Sequence, residues 1–133
     1  MEIPAQSRPG PGTGPGHDVV VVGGGLVGAS LAIALERIGV DEASYVVIVT
    51  RGHTHDMDVL VQALRTPARY IGLMASRSKR ARMVEALRDA GMGEDQLARV
   101  HSPVGLDIGA ETPAELAVSI VAEMIQVRAG KTV

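Results

Sequence analysis

Short runs of β-branched residues alternate with segments of helical periodicity along most of this 133-residue chain. Val19–Val22 and residues 45–50 (Tyr-Val-Val-Ile-Val-Thr) are typical of strands that are buried on both faces of a parallel sheet. Apolar residues recur at helical spacing after each run, over about 26–38 and 56–65. This alternation predicts an α/β fold with three layers, a parallel sheet of about four strands and helices on both faces.

The second half of the chain predicts a third strand at 69–74 and two capped helices. Ser76 is a suitable N-cap for a helix that extends to about Ala90. Thr112-Pro113-Ala114-Glu115 combines an N-cap, a proline at the first helical position and a glutamate at the third. The helix that follows is expected to bury one stripe, made of Leu116, Ala117, Ile120, Val121 and Met124.

Composition limits the domain organisation and the classes of partner. We interpret residues 1–16 as a flexible Pro/Gly-rich leader and residues 17–133 as a single domain. The chain has no cysteine, which excludes disulfides and thiolate zinc sites. Its formal net charge of -2 gives no overall attraction for nucleic acid or an anionic membrane. A cytoplasmic protein with no nucleic-acid or membrane partner is therefore expected, since no apolar segment approaches a membrane span.

A glycine loop follows the first predicted strand, in the pattern Gly23-Gly24-Gly25-Leu26-Val27-Gly28. In a Rossmann-like unit Gly23 permits the tight turn, Gly25 lets the backbone approach a pyrophosphate, and Gly28 permits close helix packing. The loop therefore predicts a nucleotide site, with a glycine turn retained only for packing as the alternative. Arg51 stands where NAD sites carry an acidic residue, and an arginine there favours NADP.

Residues 18–39 resemble the dinucleotide-binding start of flavin-dependent hydroxylases, through the run Asp-Val-Val-Val-Val-Gly-Gly-Gly-Leu-Val-Gly-Ala-Ser-Leu-Ala. The resemblance ends there, and those enzymes need several hundred residues to enclose flavin and substrate. FAD is therefore not an expected cofactor.

Two polar segments follow the second and third predicted strands, on the sheet edge where ligands bind in open α/β folds. His53, His55 and Asp56 are metal-ligand types, but their spacing misses that of metallo-hydrolases by one residue, and we predict no metal. The alternative is that Asp56 caps the following helix.

The other polar segment begins a helix with Ser76, Arg77 and Lys79. Cations are disfavoured at a helix N-terminus unless an anion is present, so these residues predict a phosphate site. The alternative is a solvated basic face paired with Glu85 and Asp89.

Residues 45–130 resemble the C-terminal domain of the xanthine dehydrogenase accessory proteins, the XdhC/CoxI family. The resemblance is carried by Thr-Arg-Gly-His at 50–53, Asp56, Tyr-Ile-Gly at 70–72, Ser-Arg-Ser-Lys at 76–79, the segment 101–109 and the segment 112–123. It implies a Rossmann-like domain that handles molybdenum cofactor (molybdopterin) and delivers it to xanthine dehydrogenase-type molybdenum hydroxylases. It also implies an accessory, chaperone-like role rather than turnover, and it favours His101 and Asp107 as ligand contacts over a purely structural connector.

The chain departs from the pattern of this family in three ways. The family's separate N-terminal domain has no counterpart, the segment 40–44 is short where the family has a further strand and helix, and Leu26 and Ala75 replace a histidine and a glycine.

Three functions remain open at this point. The first is binding of a phosphate-bearing cofactor, either molybdenum cofactor or NAD(P), for the maturation of a molybdenum hydroxylase. The second is an NAD(P)-dependent oxidoreductase fragment, and the third is a degenerate, non-binding oligomerisation domain; a homodimer is compatible with all three. No residue pair in the sequence suggests acid–base catalysis, so no catalytic residue is assigned.

Overall fold

A four-stranded parallel sheet forms the centre of the protein. The structure is a computed structural model that describes residues 19–23, 35, 37–49 and 56–131. Its strands are β1 (Val19–Val22), β2 (Tyr45–Ile48), β3 (Tyr70–Leu73) and β4 (Val100–His101), in the order β1-β2-β3-β4. All three strand pairs are parallel, which confirms the predicted α/β sheet and its strand number.

Helices connect the strands and follow the last one. They are α1 (Asp56–Leu64), α2 (Arg77–Asp89), the single turn α3 (Glu94–Leu97) and α4 (Pro113–Arg128). Leu35, Arg37 and Ile38 are also helical, in agreement with the end of the first predicted helix. The rest of that helix, the glycine loop beyond Gly23, and residues 50–55 lie outside the described residues.

The register of the sheet places the carboxyl ends of the strands side by side. Val22 lies opposite Ile48, and Ile48 lies opposite Leu73. Residues that follow the strands therefore meet at one edge, which we call the carboxyl edge.

The larger part of the core lies on one face of the sheet. Val20, Val46 and Ile71 project to this face and are at most 1% exposed. The helices that connect the strands pack there, through side chains that include Leu35, Val59, Leu60, Met83, Val84, Leu87 and Leu97. Because each strand is followed in space by the next strand along the chain, right-handed crossovers put all the connecting helices on the same face.

The opposite face is covered by α4. Tyr45, Val47 and Tyr70 project to this face and pack with Val104 and Met124. Helices thus lie on both faces, as predicted, but the connecting helices share one face and α4 covers the other within the described part of the chain.

The predicted buried stripe of α4 is wrong at two positions. Val121 is 53% exposed and Ala117 is also exposed, whereas Ser119 and Met124 are buried. Leu116 and Ile120 are half-buried. The helix is rotated relative to the prediction because the loop after β4 runs beneath it, and the Leu106 N–H donates to the Ser119 carbonyl at 3.1 Å.

Both predicted helix starts are confirmed. The Ser76 hydroxyl accepts a hydrogen bond from the Lys79 N–H at 3.1 Å and so caps α2. Thr112 and Glu115 form a reciprocal capping box at the start of α4. These caps satisfy backbone N–H groups that a helix leaves without partners. In the described ranges, none of the helices has the length and apolar character of a membrane span.

Candidate functional site

Two adjoining cavities open at the carboxyl edge of the sheet, between the start of α2 and the loop after β4. The first, about 370 Å³, is lined by Met74, Ala75, Ser76, Lys79, Pro103, Val104 and Leu116. The second, about 290 Å³, is lined by Arg77, Ser119, Leu116 and residues 103–110. Because Pro103, Val104 and Leu116 belong to both, we treat them as one site, the carboxyl-edge cleft.

The structure brings four of the predicted site residues to this cleft. Ser76 and Lys79 line its first cavity, and Arg77 and Asp107 line its second. These residues come from two segments, 76–79 and 103–110, which were each singled out in the sequence. Gly23 follows β1 at the same edge but does not line the cleft.

The remaining predictions cannot be placed beside these four. Gly25, Gly28, Arg51, His53 and His55 lie outside the described residues. Among the residues that are described, no group of three or more His, Cys, Asp or Glu side chains is arranged to hold a metal ion.

A buried ion pair joins the starts of two helices at this edge. The Lys79 ammonium group binds the carboxylate of Asp56, the first residue of α1, and donates a hydrogen bond to it. The Asp56 side chain is 4% exposed and that of Lys79 is 16% exposed. Lys79 is therefore held against α1, and the predicted pairing with Glu85 or Asp89 is not its arrangement. Glu85 instead pairs with Arg88 at 2.9 Å.

Two further arginines of α2 add positive charge near the cleft. Arg77 is exposed on its rim. Arg80 is half-buried, and its Nε is buried with no hydrogen-bond partner in the part of the chain that the structure describes. A buried guanidinium N–H of this kind is a donor with no acceptor assigned to it.

A second cluster lies beneath the loop after β4. The Tyr70 hydroxyl donates to Glu123 Oε1 at 2.7 Å, and the Gly105 N–H donates to the same oxygen at 3.1 Å. The His101 ring stacks on the Tyr70 ring, with centroids 4.7 Å apart and planes 18° apart. These contacts anchor both ends of the loop segment that begins the cleft wall.

Burial controls the protonation of this cluster. Burial, reinforced by the hydrogen bond and charge of Glu123, raises the pKa of Tyr70 well above its ordinary range. Burial also lowers the pKa of His101, an effect that the charge of Glu123 opposes and that of Arg80 adds to. Tyr70 is therefore a hydrogen-bond donor and His101 is neutral at neutral pH. His101 is not among the residues that line the cleft.

Gly72 is a residue that the sequence analysis missed. A Cβ at this position would lie 2.6 Å from Val104 Cγ2 and 2.8 Å from the Tyr70 ring. Val104 forms a wall of both cavities, so its position depends on the absence of a side chain at Gly72. A glycine inside a strand is a known sign of close backbone approach and was the available signal.

The loop over the cleft owes its path to glycines that adopt a positive φ. Gly105 has φ +96° and Gly109 has φ +76°, a region that L side chains rarely adopt. This agrees with the predicted loop over 104–111.

Residues 32–124 match the family model described as the XdhC Rossmann domain. The chain belongs to the XdhC family. This match covers both segments of the carboxyl-edge cleft and confirms the resemblance seen in the sequence.

Relatives of this XdhC-family domain are longer proteins. It is 38% identical over 99 residues to the Escherichia coli (strain K12) protein named "Uncharacterized protein YqeB", which covers 74% of this chain and 18% of that protein. It is 38% identical over 82 residues to a Bacillus subtilis (strain 168) protein that is named as a probable subunit of xanthine dehydrogenase, which covers 62% of this chain and 23% of that protein. The chain thus spans about a fifth of the length of these two relatives.

A solved structure supports the fold of the XdhC-family domain. The crystal structure of a xanthine dehydrogenase from Bacillus halodurans is similar with a TM-score of 0.59 and 30% sequence identity. The similarity covers 77% of this chain and 28% of that one.

Proposed function

We propose that this XdhC-family domain binds a phosphate-bearing cofactor, molybdenum cofactor or a nucleotide, in the carboxyl-edge cleft. The observation that carries the proposal is the meeting of residues 76–79 and 103–110 around one cleft at the edge where open α/β sheets bind ligands. The proposed role is to hold the cofactor for the maturation of a xanthine dehydrogenase-type molybdenum hydroxylase.

The chemistry of the cleft suits a ligand with an anionic end. Ser76 and Arg77 stand at the start of α2, where backbone N–H groups and the helix dipole favour a phosphate. Arg77 adds a side chain that can bind phosphate through two N–H groups. A phosphate bound by these groups would make the basic start of α2 favourable.

The rest of the cleft suits a ring system. Met74, Val104 and Leu116 give it apolar walls. Its two cavities, about 370 and 290 Å³, are of the size that binds small ligands. Together these features favour a ligand that joins a flat ring to a phosphate, which is the chemistry shared by molybdopterin and nucleotides.

Binding accounts for the ionisable residues of the cleft better than catalysis does. Those residues are Arg77, Lys79 and Asp107. Arg77 and Asp107 are exposed, and Lys79 is paired with Asp56, so no lining residue has the setting of an activated acid or base. We therefore infer an accessory role for the domain.

Binding of isolated molybdopterin and of NADPH to the purified chain tests this proposal. We expect Arg77→Ala, alone and with Lys79→Ala, to weaken binding by about tenfold or more, a loss of about 1.4 kcal/mol. Arg82→Ala is the matched control, since Arg82 is an exposed arginine of α2 that does not line the cleft. Circular dichroism establishes that each variant is folded.

The outcomes separate the competing functions. Molybdopterin binding that depends on Arg77 supports the proposal, and faster reconstitution of cofactor-free xanthine dehydrogenase by the loaded domain supports its role in maturation. Saturation by NADPH without molybdopterin binding would favour the oxidoreductase fragment. Failure of both ligands to bind would overturn the proposal and favour the non-binding domain.

A further inference from the structure

An apolar stripe runs along the outer side of α4. Val118, Val121 and Ile125 are 62%, 53% and 48% exposed, although the protein has few exposed large apolar side chains elsewhere in the described ranges. Their spacing of three and four residues places them on one side of the helix, and Ala114 and Arg128 continue the same spacing at its ends. This is the spacing of a seam between two packed helices.

The stripe borders a cleft of about 120 Å³ that lies between α4 and the edge strand β1. Val19, Tyr45, Val121, Met124 and Ile125 form its walls. Three-layer α/β folds normally cover both faces of the sheet with helices, and α4 is the helix on this face in the part of the chain described. The stripe and cleft together form an apolar surface of the size of a helix.

We propose that this surface pairs with the same surface of a second copy of the chain, with the two α4 helices antiparallel and centred on Val121. Charge decides between the two orientations that such a pair can adopt. Glu115 is in the first turn of α4 and Arg128 is in the last, and both are exposed. An antiparallel pair centred on Val121 brings Arg128 of each copy to the first turn of the other, beside Glu115.

The antiparallel arrangement has two further advantages over a parallel one. A parallel pair would place Arg128 against Arg128, whereas the antiparallel pair forms the favourable contact twice about a two-fold axis. The dipoles of antiparallel helices are also aligned favourably. Ala117 and Ala122 flank the stripe and have side chains small enough for the helices to approach closely.

Single-cysteine variants test this geometry directly, because the chain has no cysteine of its own. Val121→Cys is at the centre of the pair and should form a disulfide-linked dimer under mild oxidation. Val118→Cys should not link to itself, since its two copies would be about 9 Å apart along the helix axis. A mixture of Val118→Cys and Ile125→Cys should link, because these positions face each other in the antiparallel pair.

The oligomeric state supplies the second measurement. Light scattering on the full chain should give twice the mass of one copy, and Val121→Asp should weaken dimerisation by at least about tenfold. Ile108→Asp and Ile108→Cys are the controls, because Ile108 is 55% exposed and lies in the loop after β4, away from the stripe.

Three results would overturn the proposal. They are a monomer at high micromolar concentration, a Val121→Cys variant that links no better than Ile108→Cys, and a Val118→Cys variant that links to itself as readily as Val121→Cys. The third result would indicate a parallel pair. Because none of these measurements depends on a bound cofactor, the dimer can fail while the proposed function stands, and the reverse also holds.

Discussion

The Tyr70 hydroxyl in β3 donates a 2.7 Å hydrogen bond to Glu123 Oε1 in α4, 53 residues later in the chain. The same oxygen accepts the Gly105 N–H, so one carboxylate joins the sheet, the loop over the cleft and the last helix. Hydrogen bonds to a charged group are stronger than neutral ones, particularly away from water. This relationship fixes how α4 lies on the sheet.

Removal of the Tyr70 hydroxyl should therefore destabilise the protein. We expect Tyr70→Phe to lower the free energy of unfolding by about 2 kcal/mol, measured by urea denaturation. Glu123→Gln should cost less, since an amide oxygen still accepts from both donors. Equal losses for the two variants would show that the charge of Glu123, rather than its acceptor oxygen, is what matters.

The ion pair of Asp56 and Lys79 predicts a large effect from removal of one partner. Lys79→Met leaves a buried carboxylate without this cation and should cost about 3 kcal/mol in urea denaturation. The double variant Asp56→Asn with Lys79→Met should recover part of that loss, because the uncompensated charge is then absent. Arg82→Met on the exposed side of α2 is the control and should change stability by less than about 0.5 kcal/mol. Additive single effects would contradict the coupling of the pair.

His101 predicts a pH dependence of stability. Because burial lowers its pKa in the folded state, the unfolded chain binds more protons as the pH falls below the ordinary value of 6.5. The contribution of neutral His101 is therefore present above that value and is lost as the pH falls towards its folded pKa.

His101→Phe isolates this contribution, since it keeps an aromatic ring on Tyr70 and removes the titration. Unfolding free energies at about pH 7.5 and about pH 5.5 bracket the expected change. The original protein should lose more stability over this range than His101→Phe does. A loss of the same size in both would assign the pH dependence to other groups.

Gly72 predicts a steric effect on the cleft. Gly72→Ala would force its Cβ against Val104 and Tyr70, and overpacking of this kind costs about 1–3 kcal/mol. It should also weaken ligand binding, because Val104 forms part of the cleft wall. Gly93→Ala is the control, since a Cβ there meets nothing within 4 Å and its φ is −73°. Tolerance of both substitutions in thermal denaturation would show that Val104 can move aside freely.

Local features of the fold could be predicted because their causes lie close together in the chain. The β-branched runs predicted β1 and β2, and the residues Ser76 and Thr112 predicted the starts of α2 and α4. Caps and strand propensities depend on neighbours three or four residues away. The candidate site was predicted in part for the same reason, since Ser76 and Arg77 are recognised from one segment.

The inward face of α4 was predicted incorrectly because apolar spacing alone was used to choose it. Ser119 is buried and Glu123 holds Tyr70, whereas the apolar Val121 is exposed. Polar side chains can face inward when a distant segment supplies their partners, and a helix whose residues are apolar on several sides leaves its orientation open.

The sequence by itself determined the class of fold, the places where its strands and helices begin, and the family. The tertiary structure decided which charges meet, since the partners of Lys79 and Tyr70 are 23 and 53 residues away. Strand order brings such segments together, and side-chain pairing then follows from burial and distance in space. Those contacts depend on geometry that no local window of sequence contains.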